Sequence, residues 1–189
     1  MLKQPLILAS TSPRRRELLT QAGFTFSIVA PHDSAECGIC SRETPPEMVA
    51  RLAYQKAADV AIRTDQGLII ACDTVAECCG QILGKPKNRD HAREMLQLLS
   101  GREHRVYSGL CLWLRPGTEH HVQVDVTRLV MDPIPADVLE DYLATDAWEG
   151  KAGAFGYQDG LDWVHIVEGS ESNVVGLPLE LLEKMLADI

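Results

Sequence analysis

The chain has 189 residues, of which 46% are hydrophobic and 24% charged, a composition that suits one globular domain and excludes a disordered or collagen-like chain. Eighteen Lys and Arg against 27 Asp and Glu leave a formal charge of −9, so the overall field opposes non-specific nucleic-acid binding and any polyanion must be held by a local basic cluster. No apolar run approaches the roughly 18 residues of a membrane span, and Met1 to Ser10 does not read as a signal peptide, so the expectation is a soluble cytoplasmic protein.

In chain order, Pro5 to Ser10 reads as a buried strand, and Pro13 to about Ala22 as a helix stopped by Gly23. Phe24 to Ala30 reads as a second strand, followed by a polar loop over 31–44. Thr44-Pro45-Pro46-Glu47 puts a cap, a first-turn proline and a capping-box acid in order, starting a helix that runs to about Arg63. Leu68 to Ala76 is apolar without alternation, which predicts a central strand covered on both faces. Gly80 turns it into a returning strand ending near Leu83. Asn88 to Ser100 carries Ala92, Met95, Leu96 and Leu99 at helical spacing. Val106 to Leu114 and His121 to Val130 read as strands, the second with an alternation that leaves one face solvated. Pro135 to Ala144 is a helix, 150–160 a glycine-rich turn, Trp163 to Val167 a strand, and Pro178 to Ala187 the closing helix. Strands interleaved with helices, with one hairpin, give an α/β fold on a mixed, twisted sheet flanked by helices; no repeat or linker divides it, so it is expected to be a single domain over 1–189.

Six cysteines stand at 37, 40, 72, 78, 79 and 111. Cys37 and Cys40 form one CxxC without a second pair to complete a zinc set. If their stretch is a strand, Cys78 and Cys79 are expected to point to opposite faces and so to be poor joint ligands. All six are read as reduced thiols.

Chemistry concentrates at three positions. In Ser10-Thr11-Ser12-Pro13-Arg14-Arg15-Arg16, Ser12 is the N-cap and three arginines fill the first turn. That is the wrong sign for a helix N-terminus, whose free N–H groups are already partly positive. Either an anion sits there, held by N–H groups, hydroxyls and guanidinium forks, or the arginines are solvated. Lys56 falls at about 80° on a helical wheel whose apolar stripe runs from Leu52 at about 40° to Val60 at about 120°. It must snorkel, pair, or meet a buried anion. Asp73, near the end of the central strand, needs a cation, a metal or donors, unless it caps a turn. Ligands of α/β folds bind at such strand ends. Lys85, in Gly84-Lys85-Pro86, is by itself an ordinary turn residue, and the glycine-rich segments 150–158 and 169–178 are weak signals by composition.

The blocks LILASTSPRRRELL, ACDTV with GQILGKP, LSGREHRVYSG, GKAGAFGYQ and IVEGSESNVVGLPL, in this order, closely resemble the Maf family of nucleoside triphosphate pyrophosphatases from about Leu6 to Leu186. The resemblance implies an α/β fold of the inosine triphosphatase (Maf/Ham1) type, with two lobes about a nucleotide cleft and often a homodimer. It implies cleavage of a nucleoside triphosphate to monophosphate and pyrophosphate with a divalent cation, Mg²⁺ or Mn²⁺. The family's phosphate-binding residues fall on Ser12, Arg14 and Arg15, its catalytic aspartate on Asp73, and its two lysines on Lys56 and Lys85. Its loop acid falls on Glu36, with Asp33 the alternative because the usual Asp-Glu pair is broken here. Metal ligands are then Asp73 and Glu36, with Asp73 either base or ligand.

Three further positions separate branches of the family. Arg14, Thr74 and Gln158 match the branch acting on dTTP and UTP; a sister branch acting on 7-methyl-GTP has an aromatic, a Gln and an acid there. A glutamine amide can accept from the N3–H of uracil or thymine while donating to the adjacent carbonyl, whereas a carboxylate only accepts. The alternative for Gln158 is a solvated turn residue. The rival for the whole protein is a nucleotide-binding regulator of cell-division arrest without turnover. No nucleic acid or membrane is expected as partner.

Overall fold

A computed structural model describes residues 4–36 and 43–189. Among the described residues six α-helices and seven strands follow one another: β1 (Leu6–Leu8), α1 (Pro13–Gln21), β2 (Phe26–Ile28), α2 (Pro45–Ala61), β3 (Gly67–Cys78), β4 (Gln81–Leu83), α3 (Arg89–Leu99), β5 (Glu103–Arg115), β6 (His120–Met131), α4 (Ala136–Ala144), β7 (Val164–Glu168), α5 (Glu171–Val175) and α6 (Leu179–Ala187). The strands make one mixed sheet in the order β2-β1-β3-β5-β6-β7, with β4 paired to β3. β1 is parallel to both β2 and β3, while β3–β4 and β6–β7 are antiparallel. The α/β fold on a mixed sheet flanked by helices is therefore observed.

The chain clusters into two compact units. Unit 1 comprises Met1–Asp73, Ser108–Asp125 and Gly176–Ile189; unit 2 comprises Thr74–Tyr107 and Val126–Val175. In unit 1 the non-alternating runs are apolar on both faces because both faces are covered. Leu6, Leu8, Leu68, Ile70, Cys72, Leu110 and Leu112 pack with Leu19 of α1 and Leu182 and Met185 of α6. The intervening Ile7, Ala9, Ile69, Ala71 and Cys111 pack instead with Ala53, Ala57 and Val60 of α2. Small residues on α2 let its backbone come close to the sheet. Closest of all is Gly109 of β5, where a Cβ would stand 2.2 Å from the Val49 carbonyl oxygen and 2.7 Å from the Ala50 nitrogen.

Unit 2 has its own core, in which Met95, Leu96 and Leu99 of α3, Leu139 and Leu143 of α4, and Leu129 and Met131 of β6 meet Trp148 and Phe155. Burying a side chain of this size contributes about 1.5–3 kcal/mol.

Two expectations change. Cys78 and Cys79 are not on opposite faces, since their Sγ atoms lie 3.7 Å apart. Cys79 has left the strand for the turn to β4, at φ +53°, so period-two alternation does not extend to it. β3 runs on to Cys78, so Asp73 stands within the strand rather than near its end, and Glu171–Val175 forms a short helix, α5. Its start carried a signal, because the Ser170 hydroxyl accepts from the Asn173 N–H at 3.3 Å in the manner of a cap. Cys72, Cys78, Cys79 and Cys111 are free thiols; Cys37 and Cys40 lie outside the described residues.

Candidate active site

The site grows from the middle of β3, which continues five residues beyond Asp73 to Cys78. Odd-numbered residues of that strand face α2, so after Ile69 and Ala71 comes Asp73 on the same side. α2 answers with Lys56, whose Nζ donates to Asp73 Oδ1 at 2.6 Å. Lys56 is 5% exposed as a residue, and the two side chains are 6% and 14% exposed. Of the three fates open to Lys56, pairing is the one observed, and snorkelling is excluded. An ion pair this dry is costly to assemble and costly to break, so its presence within a central strand asks for a use beyond stability.

The second half of unit 1's site is the start of α1. Ser12 caps it in extended conformation, with Pro13 at the first helical position and no acid in the first turn. The buried Ser10 hydroxyl accepts from the Ser12 N–H at 3.1 Å and faces the Arg15 guanidinium at 3.5 Å. Arg15 Nε donates to the Gly176 carbonyl at 2.8 Å, and the same carbonyl accepts from the Cys72 thiol at 3.3 Å. Gly176 itself sits at φ +124°, a left-handed conformation that favours glycine. One backbone carbonyl thus ties the first turn of α1 to the residue next to Asp73. Gly176 was given no role from sequence, because a main-chain acceptor 161 residues away leaves no spacing signal.

The loop before α2 is pinned by Asp59, which accepts from the His32 backbone at 3.0 Å and ring at 2.8 Å, and from Arg63 at 2.6 Å. Burial alone would raise the Asp59 carboxyl, but these donors outweigh it and bring its pKa to about 2. Asp33 is exposed in the 3-10 turn that follows. The Glu36 side chain lies outside the described residues.

The other candidates belong to unit 2. Thr74, the next residue after Asp73, is half-buried; Lys85 is exposed on the turn after β4; Gln158 is exposed in a 3-10 turn, Tyr157–Asp159. The Gly153 N–H donates to the Gly84 carbonyl at 3.1 Å, which joins the Gln158 loop to the Lys85 turn. Sequence reasoning passed over two charged residues here. Lys151 and Asp159 form an ion pair across Gly156.

Among the described residues, no group of three His, Cys, Asp or Glu side chains forms a closed metal cage. A hard cation held by one or two carboxylates, with water and substrate phosphates completing its sphere, suits a partly exposed carboxylate such as Asp73.

The described geometry is thus an α/β sheet with a buried ionic pair on a central strand and a capped, arginine-rich helix start. By fold the chain resembles a solved HAM1 protein from Coxiella burnetii, with a TM-score of 0.55 at 13% identity, covering 98% of this chain and 100% of that one. The family model for Maf-like proteins matches residues 5–189, and the chain belongs to the Maf family. A protein of Rhodopirellula baltica named dTTP/UTP pyrophosphatase is 60% identical over 184 residues, covering 97% of this chain and 81% of its own. One of the same name from Syntrophus aciditrophicus is 38% identical over 190 residues, with 100% and 92% covered. Among the described residues no helix is long and apolar enough to cross a membrane.

Proposed function

We propose that this protein hydrolyses nucleoside triphosphates, dTTP and UTP foremost, to the nucleoside monophosphate and pyrophosphate. The observation that carries the proposal is the 60% identity, over 97% of the chain, to a protein named dTTP/UTP pyrophosphatase. The match of one family model to residues 5–189 supports reading the chain as a single pyrophosphatase domain.

Water is added across the anhydride between the α- and β-phosphates. Ser12, Arg14 and Arg15 bind phosphate oxygens at the start of α1, where backbone N–H groups add to their pull. Lys56 and Lys85 offset the charge that develops on the leaving pyrophosphate. Asp73, held by Lys56 at 2.6 Å, orients the attacking water and is suited to accept its proton. Asp73 and Glu36 are the residues that would hold a divalent cation, Mg²⁺ or Mn²⁺, which when bound neutralises phosphate charge and makes coordinated water more acidic. Gln158 reads the pyrimidine through paired acceptor and donor, Thr74 leaves room for the ring, and Arg14 completes the branch pattern. A homodimer in the cytoplasm is part of the same reading, with neither nucleic acid nor membrane as partner.

The test is pyrophosphate release with Mg²⁺ or Mn²⁺ across dTTP, UTP, 5-substituted uridine triphosphates, CTP, ATP and 7-methyl-GTP. The uracil and thymine nucleotides should lead in kcat/KM, because bases that leave the site's polar groups unmatched are disfavoured. Equal turnover of 7-methyl-GTP would overturn the branch assignment. No pyrophosphate from any of them would favour the regulatory nucleotide-binding reading.

A further inference from the structure

We infer that Lys151 and Asp159 are positioning residues for base selection: their ion pair closes the 151–159 loop over Gly156 and thereby fixes Gln158. The inference rests on the reading of Gln158 as the residue that meets the pyrimidine.

The loop has an anchored stem and an exposed tip, both within unit 2. In the stem, Gly153 bonds Gly84 at 3.1 Å, the Ala154 carbonyl accepts from the Tyr142 hydroxyl at 3.3 Å, and the buried Phe155 ring meets His104 edge-on at 5.4 Å. A Cβ on Gly153 would touch Ala76 at 3.1 Å, so the stem lies tight against β3. Ala154 holds φ +65°, a conformation non-glycine residues keep only when their surroundings impose it. The tip is different. Gln158, Asp159 and Gly160 are exposed, and their backbone bonds, Asp159 N–H to Gly156 at 3.1 Å and Gly160 N–H to Tyr157 at 3.4 Å, are internal to the turn.

The Lys151–Asp159 pair returns the tip to the stem. Lys151 lies at the stem's beginning, with its side chain 11% exposed against 23% for Asp159. Gly156 is the residue that allows it. A Cβ there would stand 2.5 Å from Lys151 Nζ and 2.6 Å from Asp159 Oδ2, inside the pair. In a 3-10 turn successive side chains diverge by about 120°. Pinning Asp159 toward the stem therefore turns its neighbour Gln158 away from it and into the open. A glutamine amide that is held in advance loses less freedom when it pairs with a base, and it can refuse a base whose donors and acceptors are reversed.

Asp159→Asn removes the charge at constant shape, and Lys151→Met removes the partner. Both should raise KM for dTTP by about 2- to 10-fold, the scale of one side chain's ordering cost, with the loss falling on KM rather than kcat. Both should also shrink the dTTP-over-CTP ratio of kcat/KM. Lys151→Arg, which keeps the pair, should preserve the ratio, and the exchanged pair Lys151→Glu with Asp159→Lys should recover part of it. Thermal unfolding run alongside separates a loosened tip from a damaged fold; if Lys151→Met does not fold, Asp159→Asn decides. A ratio unchanged in Asp159→Asn overturns the inference. So does a collapse of kcat in Lys151→Met that Asp159→Asn does not share, which would make Lys151 a substrate ligand. If the wild-type protein shows no preference for dTTP and UTP, the reading of Gln158 fails first and takes this inference with it; a wild-type preference with unaltered variants sinks this inference alone.

Discussion

Helices α1 and α2 begin with the same grammar, a hydroxyl residue in extended conformation followed by proline, and use it for opposite ends. At α2, Glu47 accepts from the Thr44 N–H at 2.9 Å and from its hydroxyl at 2.7 Å, so the helix closes its own N-terminus. The same backbone bond, then the hydroxyl bond, keeps the Glu47 carboxyl below the ordinary carboxylate range. At α1, the first turn offers three arginines and no acid, and the Ser12 hydroxyl meets the Arg15 N–H only at 3.5 Å. One start spends its polar groups on itself; the other turns Arg15 to the Gly176 carbonyl and is the start to which the proposed function assigns the substrate's phosphates. Local stability rules are broken where a protein works, and the contrast between two similar starts makes the break visible.

The strongest way to break this contrast is through the buried pair that faces the same chemistry. Asp73→Asn keeps the shape and should lower turnover at least about 10²-fold, the scale of a positioned acid–base group. Lys56→Met should abolish most activity and also lower the melting temperature, because it leaves the Asp73 carboxylate at 14% exposure without its partner. Pyrophosphate release and thermal unfolding on both variants decide it; a folded protein with either substitution and near-normal turnover would refute the assignment.

A smaller effect belongs to the self-contained start. Thr44→Ala removes one cap and should lower the melting temperature by about 2–4 °C with turnover retained. Ser12→Ala should do the reverse, costing activity more than stability. Equal losses of both kinds at the two positions would erase the distinction.

The smallest effect is the acid limit of α2's self-sufficiency. With its pKa lowered from 3.8 to about 2, Asp59 adds stability that is fully present above its unfolded pKa and disappears as pH falls through the folded value. Between pH 5 and pH 2 the denaturation midpoint should fall in the wild type and fall less in Asp59→Asn. Parallel curves would mean that the His32 and Arg63 bonds contribute nothing to folding.

Much of the fold was legible because its signals are local. The Thr44-Pro45-Pro46-Glu47 run marks the start of α2, and the unbroken apolar run at Leu68 announces a strand covered on both sides. The site was legible in part. Lys56 stood out as a cation in an apolar stripe and Asp73 as an acid in an apolar strand, yet spacing left each with several partners. Only packing α2 on the odd-numbered face of β3 makes them a pair. What stayed hidden depends on main chain or on turns: the Gly176 carbonyl shared by Arg15 and Cys72, the meeting of Cys78 and Cys79 once Cys79 leaves the strand, and the Lys151–Asp159 bond over Gly156. None of these has a period, so no pattern search finds it.

The close seat of α2 on Gly109 has a consequence for heredity. Val49, whose carbonyl rests there, and Lys56 lie one heptad apart and so share a face of the same rigid rod. A single added methyl group on β5 has nowhere to go but into α2's backbone, 2.2 Å from the Val49 oxygen. The helix must then lift, and Lys56 lifts with it. An allele that changes Gly109 would behave in a cell as a loss-of-function allele, although it alters no charge, no acid and no base.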